Sequence, residues 1–325
     1  MKALVCKQFG LPESLVVQEV DSAVLDAREV RIAVHAAGLN FADTLMVAGR
    51  YQLKPPMPFS PGMEVAGIVT EVGSIVTRVK KGDRVMANCF YGGFAEERCV
   101  PEDMVFPIPD QVSFETAATL PITYGTTYHA LTDRAALKAG EWLLVHAASS
   151  GVGLNAVELG KLMGARVIAC SSTHEKLEIA KAYGADEVIN YSQENLRERV
   201  MAITVGHGAD VVFDPVGGDV FDESLRCIAW EGRLLVVGFA AGRIQQIPAN
   251  QVLLRECQIV GINTAQYIKH KPEEYRSRFN MLLRWTAEGK LRPLISATYR
   301  LEQVPLAMAA LTARSVTGKI VIVLR

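Results

Sequence analysis

The chain has 325 residues, half of them apolar, and a formal net charge of −1, length enough for about two domains with substantial cores. So balanced a charge, with no basic run, excludes the electrostatic footprint of a nucleic-acid or anionic-membrane binder, and no apolar stretch approaches a membrane span. A small molecule is the expected partner.

The opening apolar run, Met1 to Cys6, is too short for a signal peptide and soon meets Gly10, Pro12 and Glu13. Six scattered cysteines, Cys6, Cys89, Cys99, Cys170, Cys227 and Cys257, form no Cys-x-x-Cys pair, which fits buried, reduced thiols in a cytoplasmic protein. Short strands are expected at Lys2 to Cys6, Leu15 to Val20, Glu29 to Ala36, Met63 to Val72, Asp83 to Ala87 and Met104 to Ile108, separated by Gly, Pro and Asp. They read as a compact, mostly β domain. A longer polar and aromatic excursion interrupts them between Gly38 and Gly62, and excursions of that size are commonly functional.

From about Ile122 the rhythm changes to alternating strand and helix. Strands at Trp142 to His146, Val167 to Cys170, Glu187 to Ile189, Val211 to Asp214, Leu234 to Gly238 and Gln258 to Ile262 alternate with helices beginning near Gly151, Thr173, Glu194, Val220 and Ala249. That pattern predicts an α/β domain built on a doubly wound, six-stranded parallel sheet of the Rossmann type. Its first strand runs into Gly151-Val152-Gly153-Leu-Asn-Ala156, the Gly-x-Gly-x-x-Gly/Ala pattern of a dinucleotide site. There the glycines permit a tight turn and close backbone approach, and a pyrophosphate sits on the helix N-terminus. Ser149 and Ser150, outside any Gly-x-Ser-x-Gly elbow, are expected to donate to phosphate. Phe239, after Gly238, falls at the carboxyl edge of the sheet where such ligands bind. Beyond Tyr267 come a helix from Pro272 to Glu288, the run Leu291 to Ser296, a helix from Leu301 to Ala313 and a strand from Lys319 to Leu324. This tail is expected to return to the first domain, dividing the chain into 1–121 with 265–325, and 122–264.

The motifs Gly38-Leu-Asn40-Phe-Ala-Asp43, Gly49-Arg-Tyr51, Pro61-Gly-Met-Glu-Val-Ala-Gly67, Lys81-Gly-Asp-Arg-Val85, Leu120 to Tyr128, Ala147 to Gly153, Tyr183-Gly-Ala-Asp186, Asp214-Pro-Val-Gly-Gly218 and Thr317-Gly-Lys-Ile-Val321 occur in order along the whole chain. In this the chain resembles the medium-chain dehydrogenase/reductase superfamily, and within it a zinc-free quinone oxidoreductase related to zeta-crystallin. The resemblance implies a mostly β, GroES-like catalytic domain joined to the Rossmann domain. The zinc enzymes of the superfamily carry Cys where this chain has Asn40 and Gly-His-Glu where it has Gly62-Met63-Glu64. An amide and a thioether are not zinc ligands, and the four closely spaced cysteines of the structural zinc lobe are missing, so no metal site is expected. Without that Lewis acid, reduction of a conjugated acceptor is favoured over alcohol-to-carbonyl chemistry.

An acidic residue about 20 positions after the glycines marks NAD specificity. Here the second strand ends Ser171-Ser172-Thr173, and Glu175 reads as the end of a Ser172-Thr-His-Glu175 capping box. The resemblance implies that Lys176, Tyr191 and Arg314 surround a 2′-phosphate, hence NADP(H), with Ser172 also binding the cofactor, and that Asn40, Tyr51 and Thr126 flank the nicotinamide and its acceptor. His35, His129 and His146 read as packed histidines; Asp43 and Glu64 read either as a proton relay or as satisfied buried carboxylates.

The expected activity is NADPH-dependent reduction of a quinone or enone. The alternatives are reduction of an enoyl thioester or other activated alkene on the same fold, and a crystallin-like, non-enzymatic NADPH-binding protein. A homodimer is expected through the sixth Rossmann strand, apolar and at a sheet edge.

Overall fold

The computed structural model describes residues 1–325 and divides into two compact units, residues 1–122 with 271–325 and residues 123–270. In chain order the first unit contains β1 (Lys2–Val5), β2 (Val16–Glu19), β3 (Glu29–Leu39), α1 (Phe41–Val47), β4 (Glu64–Val72), β5 (Arg84–Asn88), β6 (Glu97–Pro101), β7 (Val105–Pro107) and α2 (Phe114–Ala117). The second contains α3 (Gly125–His129), β8 (Trp142–Val145), α4 (Gly151–Leu162), β9 (Arg166–Ser171), α5 (His174–Ala182), β10 (Glu187–Asn190), α6 (Leu196–Ile203), β11 (Ala209–Asp214), α7 (Asp219–Cys227), β12 (Ile228–Val236), α8 (Ala249–Arg255), β13 (Gln258–Gly261) and α9 (Thr264–His270). The chain then returns to the first unit with α10 (Pro272–Ala287), β14 (Ile295–Arg300), α11 (Val304–Thr312) and β15 (Lys319–Val323). No helix is long and apolar enough to cross a membrane.

The first unit is organised on β3. Val30, Ile32 and Val34 alternate inward and are fully buried, as a half-buried strand requires. One edge of β3 pairs with β4 along its length, while the other pairs with β6 over residues 29–33 and with β15 over residues 36–39. Register shifts at Arg31/Ile32 and Val34/Ala36 bend the strand so that it can serve two neighbours in succession. The strand order is β14-β15-β3-β4-β5-β7, with β6 on β3. The sequence reading missed β6 and α1, the helix within the excursion after β3.

The second unit is an all-parallel six-stranded sheet in the order β10-β9-β8-β11-β12-β13. The run Trp142-Leu-Leu-Val145 is buried throughout, as expected of a strand covered by helices on both faces. Helix α9, assigned from sequence to the returning tail, stays with this unit: Tyr267 stacks on His129 at 3.9 Å, and Thr264 donates to Thr126 Oγ1 at 3.1 Å.

Candidate functional site

In the second unit the sheet order reverses between β8 and β11, the switch point at whose carboxyl edge open α/β sheets bind ligands. The chain leaves β8 through Ala147, at φ +48°, and enters α4 at Ser150, whose Oγ accepts the Gly153 N–H at 3.1 Å. That bond uses an oxygen lone pair and leaves the Ser150 hydroxyl proton to give. A Cβ on Gly153 would lie 2.1 Å from the Ala147 carbonyl oxygen, so only glycine lets the helix start this close to the strand exit. The first-turn N–H groups, with no intrahelical carbonyl to meet, and the positive end of a 12-residue helix form a cradle that fits a pyrophosphate.

At the neighbouring strand tip, buried Ser171 has its Oγ 3.5 Å from Ser149 Oγ, and its carbonyl accepts the Tyr191 N–H at 3.2 Å. Thr173, not Ser172, caps α5, accepting the Lys176 N–H at 3.4 Å; with a lysine at the third helical position, the expected capping box with Glu175 does not form. Exposed Glu175 is held below the usual carboxylate range by its own backbone N–H and by Thr173. The acid nearest in sequence to this tip is therefore committed to the helix start, while Lys176 stands in the first turn of α5. Gly238 and Phe239 follow β12 at the same edge, with Phe239 41% exposed. The structure thus brings Ser149 to Gly153, Ser172, Lys176, Tyr191, Gly238 and Phe239 to one edge of one sheet. Arg314 belongs to the first unit, exposed at φ +56° after α11.

Asp214, quoted only as part of a motif, organises the turn beyond β11. Its Oδ1 accepts the N–H groups of Val216 and Gly217 at 2.8 and 2.9 Å, an Asx turn that Asp-Pro-Val-Gly-Gly could have signalled. His146 and His129 are packed and hydrogen-bonded, Nε2 to Ser224 Oγ at 2.7 Å and Nδ1 to Asp133 at 3.1 Å, and burial pushes the His146 pKa down.

In the first unit, register builds a buried polar cluster. Glu64 pairs opposite Gly38, and the Ile320–Leu39 pair sets Lys319 beside Asn40. A Cβ on Gly38 would meet Glu64 Oε1 at 2.3 Å and the Ala118 carbonyl at 2.4 Å, so this glycine makes room for the carboxylate. Lys319 Nζ donates to Leu39 O at 2.9 Å, Asn40 Oδ1 at 2.8 Å and Glu64 Oε1 at 2.8 Å. Asn40 Nδ2 donates to Glu64 Oε1 at 2.8 Å, and Glu64 Oε2 accepts the Ile122 N–H at 2.8 Å. Asp43 accepts the N–H groups of Asn40 and Gly62 at 2.8 and 3.0 Å. Of the two readings of the carboxylates, the geometry supports satisfied, buried groups. The sequence reading missed Lys319, whose Thr-Gly-Lys-Ile-Val run served only as a motif. Tyr51 is partly buried, and its pKa is raised by burial and by Asp43. No group of three or more His, Cys, Asp or Glu side chains is placed to hold a metal ion.

Burial raises the Asp43 pKa to about 7, against the lowering pull of its amide partners and Lys319. Asp43 therefore binds its proton more tightly in the fold than in the unfolded chain. Its contribution to stability is fully present below about pH 4 and is lost as pH rises through about 7. The difference in melting temperature between the native sequence and Asp43→Ala should accordingly shrink from pH 4 to pH 8. A difference that stays constant or grows would contradict it.

Two family models match: the alcohol dehydrogenase GroES-like domain over residues 26–110 and the zinc-binding dehydrogenase over residues 151–285. The chain is 44% identical over 325 residues to a quinone oxidoreductase-like protein 2 homolog of Nematostella vectensis, covering 99% of this chain and 88% of that one. It is 38% identical over 325 residues to quinone oxidoreductase-like protein 2 of Rattus norvegicus, covering 100% and 92%. Among solved structures, Escherichia coli quinone oxidoreductase complexed with NADPH superposes with a TM-score of 0.93 at 31% identity, covering 99% of this chain and 100% of that one.

Proposed function

The chain belongs to the quinone oxidoreductase family of zinc-free medium-chain reductases, and from that premise we propose that it reduces quinone-like conjugated acceptors with NADPH. When bound, the reduced nicotinamide supplies the hydride. Ser149, Ser150, Gly151, Val152 and Gly153 hold the pyrophosphate on the start of α4. On the second unit Ser172, Lys176 and Tyr191 would hold the 2′-phosphate, a lysine ammonium suiting a phosphate dianion. In the first unit Asn40 and Tyr51 would orient the acceptor; in the second Thr126 would meet the nicotinamide, and Gly238 and Phe239 would offer an apolar wall.

The observation that carries the reading is the cluster around Lys319. Where the zinc relatives have ligands, Asn40 offers an amide, Met63 a thioether, and Glu64 a carboxylate already bound to an ammonium at 2.8 Å. A quinone tolerates such a site: after hydride transfer its charge is a phenolate-like oxygen, stabilised by the ring and protonated from water. An enoyl thioester leaves an enolate whose α-carbon must be protonated, for which a positioned acid contributes about 10²- to 10⁴-fold.

NADPH oxidation, followed with ortho- and para-quinones, enones and enoyl-CoA thioesters, should be fastest with quinones. Tyr51→Phe should change kcat for the quinone by less than about tenfold, one modest hydrogen bond. A loss of about 10²-fold or more with NADPH affinity intact would make the Tyr51 hydroxyl the acid of an enoyl-type reductase. No oxidation with any acceptor, despite tight NADPH binding, would leave a binding protein.

We also propose a homodimer through β13. This short strand ends the sheet order, and in α8, just before it, Leu253 and Leu254 are 76% and 77% exposed. An open strand edge beside bare leucines invites a second copy. Sedimentation at micromolar concentration should show a dimer, and Leu254→Glu should yield monomer; a monomeric native protein would refute the interface. All six cysteines are buried and free, in keeping with a reducing, cytoplasmic setting.

A further inference from the structure

We propose that Lys319 is a positioning residue: its ammonium, held between Asn40 and Glu64, dictates which way the Asn40 amide faces and so which group that amide offers an acceptor. The second clause rests on the proposed role of Asn40; the first stands on geometry alone.

An asparagine amide has two faces of nearly equal shape, related by a half turn, and only its hydrogen-bond partners tell them apart. Here Oδ1 meets Lys319 Nζ at 2.8 Å and Nδ2 meets Glu64 Oε1 at 2.8 Å. The half turn would set an NH₂ against an ammonium and a carbonyl oxygen against a carboxylate, turning two charge-assisted hydrogen bonds into two repulsions. The ion pair therefore reads the amide and admits one orientation.

The reading frame is itself fixed. All three Lys319 protons are placed, on Leu39 O, Asn40 Oδ1 and Glu64 Oε1, at 2.8 to 2.9 Å. Glu64 is pinned through its other oxygen by the Ile122 N–H at 2.8 Å, and the Asn40 backbone N–H is pinned by Asp43 at 2.8 Å. Lys319 is 5% exposed and Glu64 fully buried, so water cannot replace either partner. What remains to Asn40 is one N–H, whose only partner is Gly38 O at 3.5 Å, the outer limit of a hydrogen bond. That donor is the group the cluster leaves for the oxygen of a quinone, where charge develops as hydride arrives.

The test pairs Lys319→Met with Glu64→Gln, so that Glu64 is not left as a buried charge without its cation. The neutral amide that Glu64→Gln introduces can meet either face of the Asn40 amide by turning its own, so the orientation is no longer imposed. In the cofactor-free protein, the Asn40 side-chain amide signal, identified by its loss in Asn40→Ala, should exchange slowly with water. In the paired variant it should exchange about tenfold or more faster. The paired variant should also lose about 10- to 100-fold in kcat/KM for quinone, with the Kd for NADPH within about twofold. In an Asn40→Ala background the same two changes should cost less than about threefold, because Lys319 acts through Asn40.

An amide equally protected in both proteins would overturn the proposal. So would an equal loss of turnover with and without Asn40, the signature of a merely structural role. Faster exchange with undiminished quinone turnover would uphold the positioning by Lys319 and overturn the donor role of Asn40.

Discussion

Lys176→Ala should weaken NADPH binding about 10- to 150-fold while leaving NADH almost unchanged. The figure follows from one charge-assisted phosphate contact, about 1.5 to 3 kcal/mol, at 1.4 kcal/mol per tenfold. The local structure sets the sign of the selectivity. An NAD site needs a free carboxylate at the tip of β9, and the tip offers Ser171, Ser172 and Thr173 instead. Glu175 is close in sequence, but its charge is taken up by the start of α5. Lys176 stands in the same helical turn, and Tyr191 lies at the same sheet edge through its bond to Ser171. Titration of each cofactor against protein fluorescence measures the effect. Equal losses for NADPH and NADH would mean that Lys176 does not meet the 2′-phosphate.

The second large effect is on stability. Lys319→Met removes the cation from a fully buried carboxylate that makes one of its bonds to it at 2.8 Å. Breaking one side of a buried ion pair costs about 3 to 5 kcal/mol, because the remaining charge has lost its partner and cannot reach water. Adding Glu64→Gln should restore most of that loss, since a neutral amide is far cheaper to bury than a lone charge. Denaturant unfolding of both variants measures the difference. A loss below about 1 kcal/mol in Lys319→Met would show that Glu64 finds another way to be neutralised.

Much of this was legible in the sequence because local chemistry decides it. Trp142 to Gly153 names its own strand, turn and helix, since Gly153 is needed where a Cβ would strike the Ala147 carbonyl. The missing acid at the tip of β9 is likewise a local fact. Helix α1 escaped because Phe41 to Val47 sits inside the polar and aromatic excursion between Gly38 and Gly62, where no helical period stands out; in the fold Asp43 bonds back to the Asn40 N–H and starts a helix. Lys319 escaped for a different reason. Its partners are Leu39, Asn40 and Glu64, more than 250 residues away, and only the pairing of β15 with β3 brings them together. A lysine before an apolar strand is ordinarily solvent-exposed, and nothing within its own neighbourhood says otherwise. The Asn40 amide shows the same limit, since its bonds depend on two other strands.

The return of the chain to β3 also fixes an order of events during synthesis. Residues 123–270 form a contiguous unit whose strands all lie close in sequence, so it can fold as soon as it has emerged. The first unit cannot. Until residues 319–323 have left the ribosome, the edge of β3 at residues 36–39 has no neighbour, and Glu64 has no counter-ion. For that interval the nascent chain carries a bare strand edge and an unneutralised acid at one place, both of which resist premature closure of the core. Residues 123–270 can thus fold first, and the first unit closes only once residues 319–323 have been made.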